Sequence, residues 1–283
     1  MTGAPQARRI ILCADDYGLS PGVNRAIRAL IAMGRLNATS VMIPAPAFTR
    51  AETDALKSAI GDAGRCAIGL HVTLTAPFQP LTLYFRPLDG GIFLPLSQLL
   101  RASLMRRLDR DIVREEIAAQ LAAFGEAFGR PPDYVDGHQH VHLFPQIRDA
   151  FLSAVNEAAP RAWVRQCGRA APQPLRLSDA KALFLDLLSS RFRVRAAKAG
   201  VAFNPAFAGA YNFTQVSAFA PHLTRFIQDL PDGGLIMCHP GFVDDTLVEL
   251  DPLIGQRERE YEFLAGDEFP RLLAAQNAVL APH

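Results

Sequence analysis

Arg9-Ile10-Ile11-Leu12-Cys13-Ala14-Asp15-Asp16-Tyr17-Gly18 is the stretch from which the rest of the chain is read. Arg9 to Cys13 has the short apolar pattern of a buried strand. The run ends in two adjacent carboxylates. Ionised carboxylates beside a core must be paired, hydrogen-bonded or bound to a cation. Side by side they also repel, so one is expected to have a raised pKa or a cation to sit between them. Adjacent strand residues point to opposite faces, yet at a strand's end both can reach the same mouth. In parallel α/β folds that mouth carries the chemistry.

Outward from this stretch, apolar runs alternate with helical patterns. Further strands are expected at 39–43, 66–72, 133–136, 162–165, 201–203 and 234–238. The first helix has Ser20 as N-cap, Pro21 in its first turn and Val23, Ile27, Leu30 and Ile31 on one face, with Gly34 as a stop. Residues 109–128 repeat the pattern, with Ile112, Ile117, Leu121 and Phe124 apolar and Asp111, Arg114, Glu115 and Glu116 polar. This alternation means βα units and a largely parallel α/β sheet, and about seven units argue for a barrel over an open sheet. No linker or internal repeat divides residues 1–283, so a single domain is expected. The longest irregular stretches, 76–98 and 167–178, read as lids or pocket walls.

The chain has 283 residues, 49% of them apolar, enough for a large core. Lys plus Arg number 29 and Asp plus Glu 28, which gives no electrostatic case for nucleic acid or an anionic membrane surface. Cys13, Cys66, Cys167 and Cys238 form no CxxC pair, so neither a zinc knuckle nor a thioredoxin-type site is suggested, and buried thiols are expected. The first eight residues lack the apolar core of a signal peptide. No apolar run reaches the roughly 18 residues of a membrane span. A reducing cytoplasm fits these features.

Three more clusters fall at predicted strand ends: Ile68-Gly69-Leu70-His71, Tyr134-Val135-Asp136-Gly137-His138-Gln139-His140-Val141-His142, and Leu235-Ile236-Met237-Cys238-His239-Pro240-Gly241. A parallel barrel gathers such ends on one rim. One carboxylate with two imidazoles makes a cation site with open positions. A metal there polarises a carbonyl and acidifies water, a second carboxylate takes a proton, and a separate histidine protonates the leaving group. Each cluster has a plainer alternative. Asp15-Asp16 could cap a turn, and His71 or His239 could be a satisfied core histidine. If 138–142 were extended, its three histidines would share one side. One ligand and one or two supporting contacts are expected there, with Asp136 orienting one of them.

Ala14-Asp15-Asp16-Tyr17-Gly18-Leu19-Ser20, followed by Val23-Asn24, resembles the opening motif of the YdjC-like carbohydrate deacetylases, which include chitooligosaccharide deacetylase and the hopanoid-associated deacetylase. Gly69-Leu70-His71, Asp136 to His142 and His239-Pro240-Gly241 match that family's other motifs in order and spacing. The resemblance implies an irregular, TIM-like (β/α) barrel related to polysaccharide deacetylases. It implies hydrolysis of an N-acetyl group from an amino sugar, releasing acetate. It makes Asp15 the general base and gives Asp16, His71 and His138 to one divalent ion, Mg2+ or Zn2+. His140 stays open as the alternative to His138. His239 would be general acid or transition-state stabiliser. The family also suggests a homodimer.

For the sugar itself, His140, His142, Arg165, Trp163 and Tyr211 are the candidate contacts, since sugars stack on aromatic faces and need planar donors. Two other readings compete. A metal-dependent phosphoesterase or amidohydrolase on a similar barrel would tend to use two metals. A non-catalytic sugar-binding module would not need the full set of base, ligands and acid.

Overall fold

The strand expected at 9–13 is longer in the computed structural model, where β1 spans Arg8–Tyr17 and carries both aspartates within it. The structure describes residues 6–61, 66–170, 180–212 and 217–281. After β1 come α1 (Pro21–Ala32), β2 (Ala38–Val41), α2 (Arg50–Ile60) and β3 (Ala67–Val72). A short hairpin, β4 (Leu88–Asp89) and β5 (Ile92–Phe93), then leads into α3 (Leu96–Leu104) and α4 (Arg110–Phe128). Next are β6 (Tyr134–Gly137), a 3-10 turn (His138–Leu143), α5 (Ile147–Ala158), β7 (Trp163–Val164) and α6 (Ala180–Lys198). The last part holds β8 (Phe207–Ala208), α7 (Phe219–Gln228), β9 (Gly234–Cys238), α8 (Asp245–Leu250), α9 (Gly255–Ala265), α10 (Glu268–Ala275) and β10 (Ala278–Leu280).

The helices start where their sequences say. Ser20 Oγ accepts the Val23 N–H at 3.2 Å, and Asp109 accepts those of Asp111 and Ile112 at 2.9 and 3.3 Å. Gly129, at φ 70°, ends α4. Val23, Ile27, Leu30 and Ile31 are all buried, as their spacing requires.

The parallel strands run in the order β7-β6-β3-β2-β1-β9-β8, with β10 paired to the start of β1. Phe203 bridges Val164 in parallel, and Phe207 N–H donates to Gly168 O at 3.0 Å. The two edges of the sheet therefore meet, and the curled sheet takes the form of an irregular barrel. The expected strand at 201–203 is reduced to that bridge, because β8 at Phe207–Ala208 makes the pairing to β9. The irregular stretch 76–98 holds the β4–β5 hairpin and the start of α3. Residues 171–179 of the expected loop 167–178 lie outside the described residues.

Asn37 finishes the sheet where β10 stops and β2 begins. Its side chain accepts the Leu12 N–H at 2.7 Å and donates to Ile10 O at 2.9 Å and Ala281 O at 2.7 Å. Gly69 on β3 is required by packing, since a Cβ there would lie 2.4 Å from the Tyr134 ring. All four cysteines are free thiols and buried.

Candidate active site

Strand alternation lines the inside of the barrel with one layer of polar groups. β1 contributes Asp15, β2 Ser40, β3 His71 and β6 Asp136, and Arg165 follows β7. His71 and Asp136 are paired across the β3–β6 ladder. That register brings Asp136 Oδ1 to 2.6 Å from His71 Nδ1. Ser40 Oγ lies 3.1 Å from the same nitrogen and donates to Asp15 Oδ1 at 3.2 Å.

Two adjacent aspartates reach one mouth because β1 breaks its pattern between them. Its pairing with β2 shifts register between Ala14 and Tyr17, and Asp16 adopts φ 71°. Left-handed backbone at a non-glycine residue is uncommon and costs on the order of 1 kcal/mol. Asp15 thus continues the inward row of β1, while Asp16 turns to the rim.

Arg165 grips Asp15 with both terminal nitrogens, 2.6 Å to each carboxylate oxygen, and lies 2.5 Å from Asp136 Oδ2. Burial alone would raise the Asp15 pKa, but the Arg165 guanidinium holds the carboxyl well below the usual range. Asp15 Oδ1 also faces Ser40 Oγ and Cys13 Sγ, whereas Oδ2 has Arg165 as its hydrogen-bond donor and lies 3.9 Å from His71 Nε2. A carboxylate oxygen has two lone-pair sites, and among the described residues Arg165 occupies one of those on Oδ2.

Asp16 Oδ1 faces His71 Nε2 at 3.4 Å and His138 Nδ1 at 3.2 Å, while Oδ2 accepts from Arg257 at 2.7 Å. Burial opposes ionisation of Asp16, but Arg257 and the two imidazoles keep it charged. Asp16, His71 and His138 are one of the groups whose donor atoms lie within 4.8 Å of one another. Donors about 2.1 Å from a tetrahedral ion lie roughly 3.4 Å apart, so these spacings fit one. His71 also has the support a ligand needs, since Asp136 at Nδ1 leaves Nε2 to face Asp16. Burial would lower the His71 pKa, but Asp136 and Asp15 push it up to about 10, so protons compete with any cation for Nε2. The residues present fit one divalent ion. A second group, Cys13, Asp15 and Asp136, has compatible spacing, but the Arg165 guanidinium sits on both of its carboxylates.

His239 follows β9 directly. Its N–H donates to Glu260 Oε2 at 2.5 Å, and its imidazole lies near enough to Asp15 and Asp16 to feel their charge. Burial lowers its pKa, with the two aspartates working against that shift. Glu260 also accepts the Tyr211 hydroxyl, and its own burial pushes it up to about 7.

Several expected substrate contacts belong instead to the interior. Arg165 is fully buried, with its guanidinium on Asp15 and Asp136. Trp163 stacks on Tyr134 at 4.4 Å within the core. His142 is fully buried against Phe151 and Phe192, with Nε2 2.8 Å from Arg165 O. Asp136 supports His71 and not a member of the 138–142 run. That run is not extended. Gln139 and His140 are left-handed (φ 53° and 60°), which separates the three histidines. His138 joins Asp16, whereas His140 Nδ1 lies 3.5 Å from Cys167 Sγ and its ring meets Phe207 edge-on. Tyr211 is half-buried, stacked on His222 at 4.5 Å and tied to Glu260.

Ser40, Arg257 and Glu260 were not anticipated. Gly255-Gln256-Arg257-Glu258-Arg259-Glu260 reads as a solvated face, and only the pairing of Arg257 and Glu260 one turn apart on α9 hints otherwise.

A family model described as YdjC-like protein matches residues 9–275. A solved structure from Enterococcus faecalis V583, described as a candidate cellobiose-phosphate cleavage protein, is 22% identical, with TM-score 0.70 and 98% of each chain covered. A peptidoglycan N-acetylglucosamine deacetylase solved with a hydroxamate is 11% identical, with TM-score 0.50, covering 98% of this chain and 86% of that one. These two likenesses establish the barrel fold.

Proposed function

The chain belongs to the YdjC-like family, and from that premise we propose that it is a metal-dependent hydrolase removing the N-acetyl group of an amino sugar and releasing acetate. One observation carries the proposal: Asp16, His71 and His138 converge beside a second carboxylate, Asp15, outside that group, whose Oδ2 accepts from Arg165 alone among the described residues. The reaction printed for the deacetylase of similar fold is of the same class.

Asp16, His71 and His138 would hold the ion. When bound, it would supply Lewis-acid polarisation of the acetamide carbonyl and a lowered pKa for water at the site. Two imidazole donors suit Zn2+ better than Mg2+, which prefers oxygen. Asp15 Oδ2 is the base, held ionised and aimed by Arg165. Arg165 is a positioning residue, since its contacts are to Asp15 and Asp136. His239, whose backbone N–H donates to Glu260 and whose imidazole feels the charges of Asp15 and Asp16, would serve as proton donor to the leaving amine. Arg165 on the second cluster speaks against a two-metal phosphoesterase. The same reading carries a cytoplasmic homodimer with an amino-sugar partner, which light scattering and cell fractionation test.

The deciding experiment measures acetate release from N-acetylated mono-, oligo- and lipid-linked sugars, using chelated protein restored with Zn2+ or Mg2+. Release that depends on the added ion is expected. No release from any member of the panel rejects the deacetylase.

A further inference from the structure

We infer that Arg257 fixes Asp16 as a one-oxygen donor, and so sets both the affinity of the ion site and the number of positions left open on it. This rests on the metal site of the proposed function. A carboxylate can grip a cation with one oxygen or with both. In Asp16 the two oxygens are divided. Oδ1 faces His71 Nε2 and His138 Nδ1, and Oδ2 accepts from Arg257 Nη2 at 2.7 Å.

Arg257 is poorly placed to let go. The same Nη2 donates to Asp251 Oδ2 at 2.6 Å, and Nε donates to Leu253 O at 3.0 Å. Its own carbonyl accepts the Gly241 N–H at 3.2 Å, and a Cβ on Gly241 would lie 3.3 Å from the Arg257 side chain. The backbone of Asp16 is fixed too, at φ 71°. Arg257 keeps these contacts although its Nη1 is buried with no acceptor among the described residues. A buried donor left unmet costs free energy, and Arg257 keeps its hold on Asp16 and Asp251 in spite of that cost. Guanidinium is always charged, so pH does not release Oδ2.

Two consequences follow. The ion gains one bond from Asp16 instead of two, which leaves a further position for water and substrate. A permanent positive charge beside the ligand also weakens the hold on a cation. An ordinary structural arginine would do neither, and its loss would only loosen the site.

The test uses full-length, chelator-stripped protein titrated with Co2+. Visible absorption reads coordination, strong for four or five donors and weak for six, and a chromophoric chelator reads affinity. Circular dichroism confirms folding of Arg257→Met and Arg257→Lys. In Arg257→Met, Co2+ is expected to bind about tenfold or more tightly, with absorption falling as Asp16 adds its second oxygen. Arg257→Lys keeps a charge but not the reach to both aspartates. It is expected to show the same spectral change with a smaller gain in affinity, and it decides the matter if the methionine variant does not fold. Weaker binding or an unchanged spectrum in the folded variant overturns the inference and leaves the proposed function standing. Failure of the unsubstituted protein to take up Co2+ overturns both.

Discussion

Asp15 and Asp16 are neighbours in sequence with different electrostatic partners, Arg165 for one and Arg257 for the other. That separation predicts different failures. Asp15→Asn should retain the metal in equal stoichiometry but lose about 10²–10⁴ in turnover, because an amide cannot take the proton. Near-normal kcat would remove Asp15 from its assigned role. Asp136→Asn should instead weaken metal binding by about 10–100-fold, since His71 loses its orienting carboxylate; competition with a chelator reads this directly. His142 gives a pH signature. Burial pushes it down from 6.5 to about 4. Between those values the unfolded chain binds a proton that the folded chain refuses. Stability should therefore fall as pH drops through that window, by at most about 3 kcal/mol. Urea unfolding of His142→Gln should show a flatter profile from pH 6.5 to 4. The aspartates, His71 and His138 were legible because each ends a recognisable strand. Arg257 and Glu260 were not, because nothing local distinguishes a buried charge on α9 from a solvated one.

Among the elements, α4 shows why amphipathic patterns mislead near long loops. Its Glu116 belongs to the polar face by spacing, yet it is fully buried. It accepts the backbone N–H groups of Leu81 and Thr82 at 3.1 and 2.9 Å, and the Thr82 hydroxyl at 2.7 Å. The partner comes from a loop more than thirty residues away, so helical periodicity cannot foresee it. This carboxylate pins the loop that follows the strand bearing His71. Glu116→Ala should remove the charged acceptor of these part-buried N–H groups and cost about 1–2 kcal/mol. Hydrogen exchange should quicken at Leu81 and Thr82 while β1 stays protected; equal exchange in both chains would refute the pinning role. The turn after β6 is the other element that spacing misjudged. An HxHxH run looks like strand alternation, but two left-handed residues turn it, and only His138 reaches the candidate metal site.

At the scale of the molecule, the barrel class and the first helix were readable because parallel βα units repeat a strong signal. The seam was not. β10 is three residues long, and its partner is the start of β1. Asn37 bridges that junction, and Asn37→Ala should lower stability by about 2 kcal/mol or more, seen in urea unfolding without loss of the slope. The β1–β10 pairing also has a temporal consequence. Arg8 pairs with Ala278, and Arg257 reaches back to Asp16, so the first strand meets these partners only after residues 257 and 278 have left the ribosome. Until then one apolar edge of the first strand waits exposed, and Asp16 lacks the guanidinium that neutralises it. Chains released early should therefore be prey for chaperones and aggregation rather than slow enzymes.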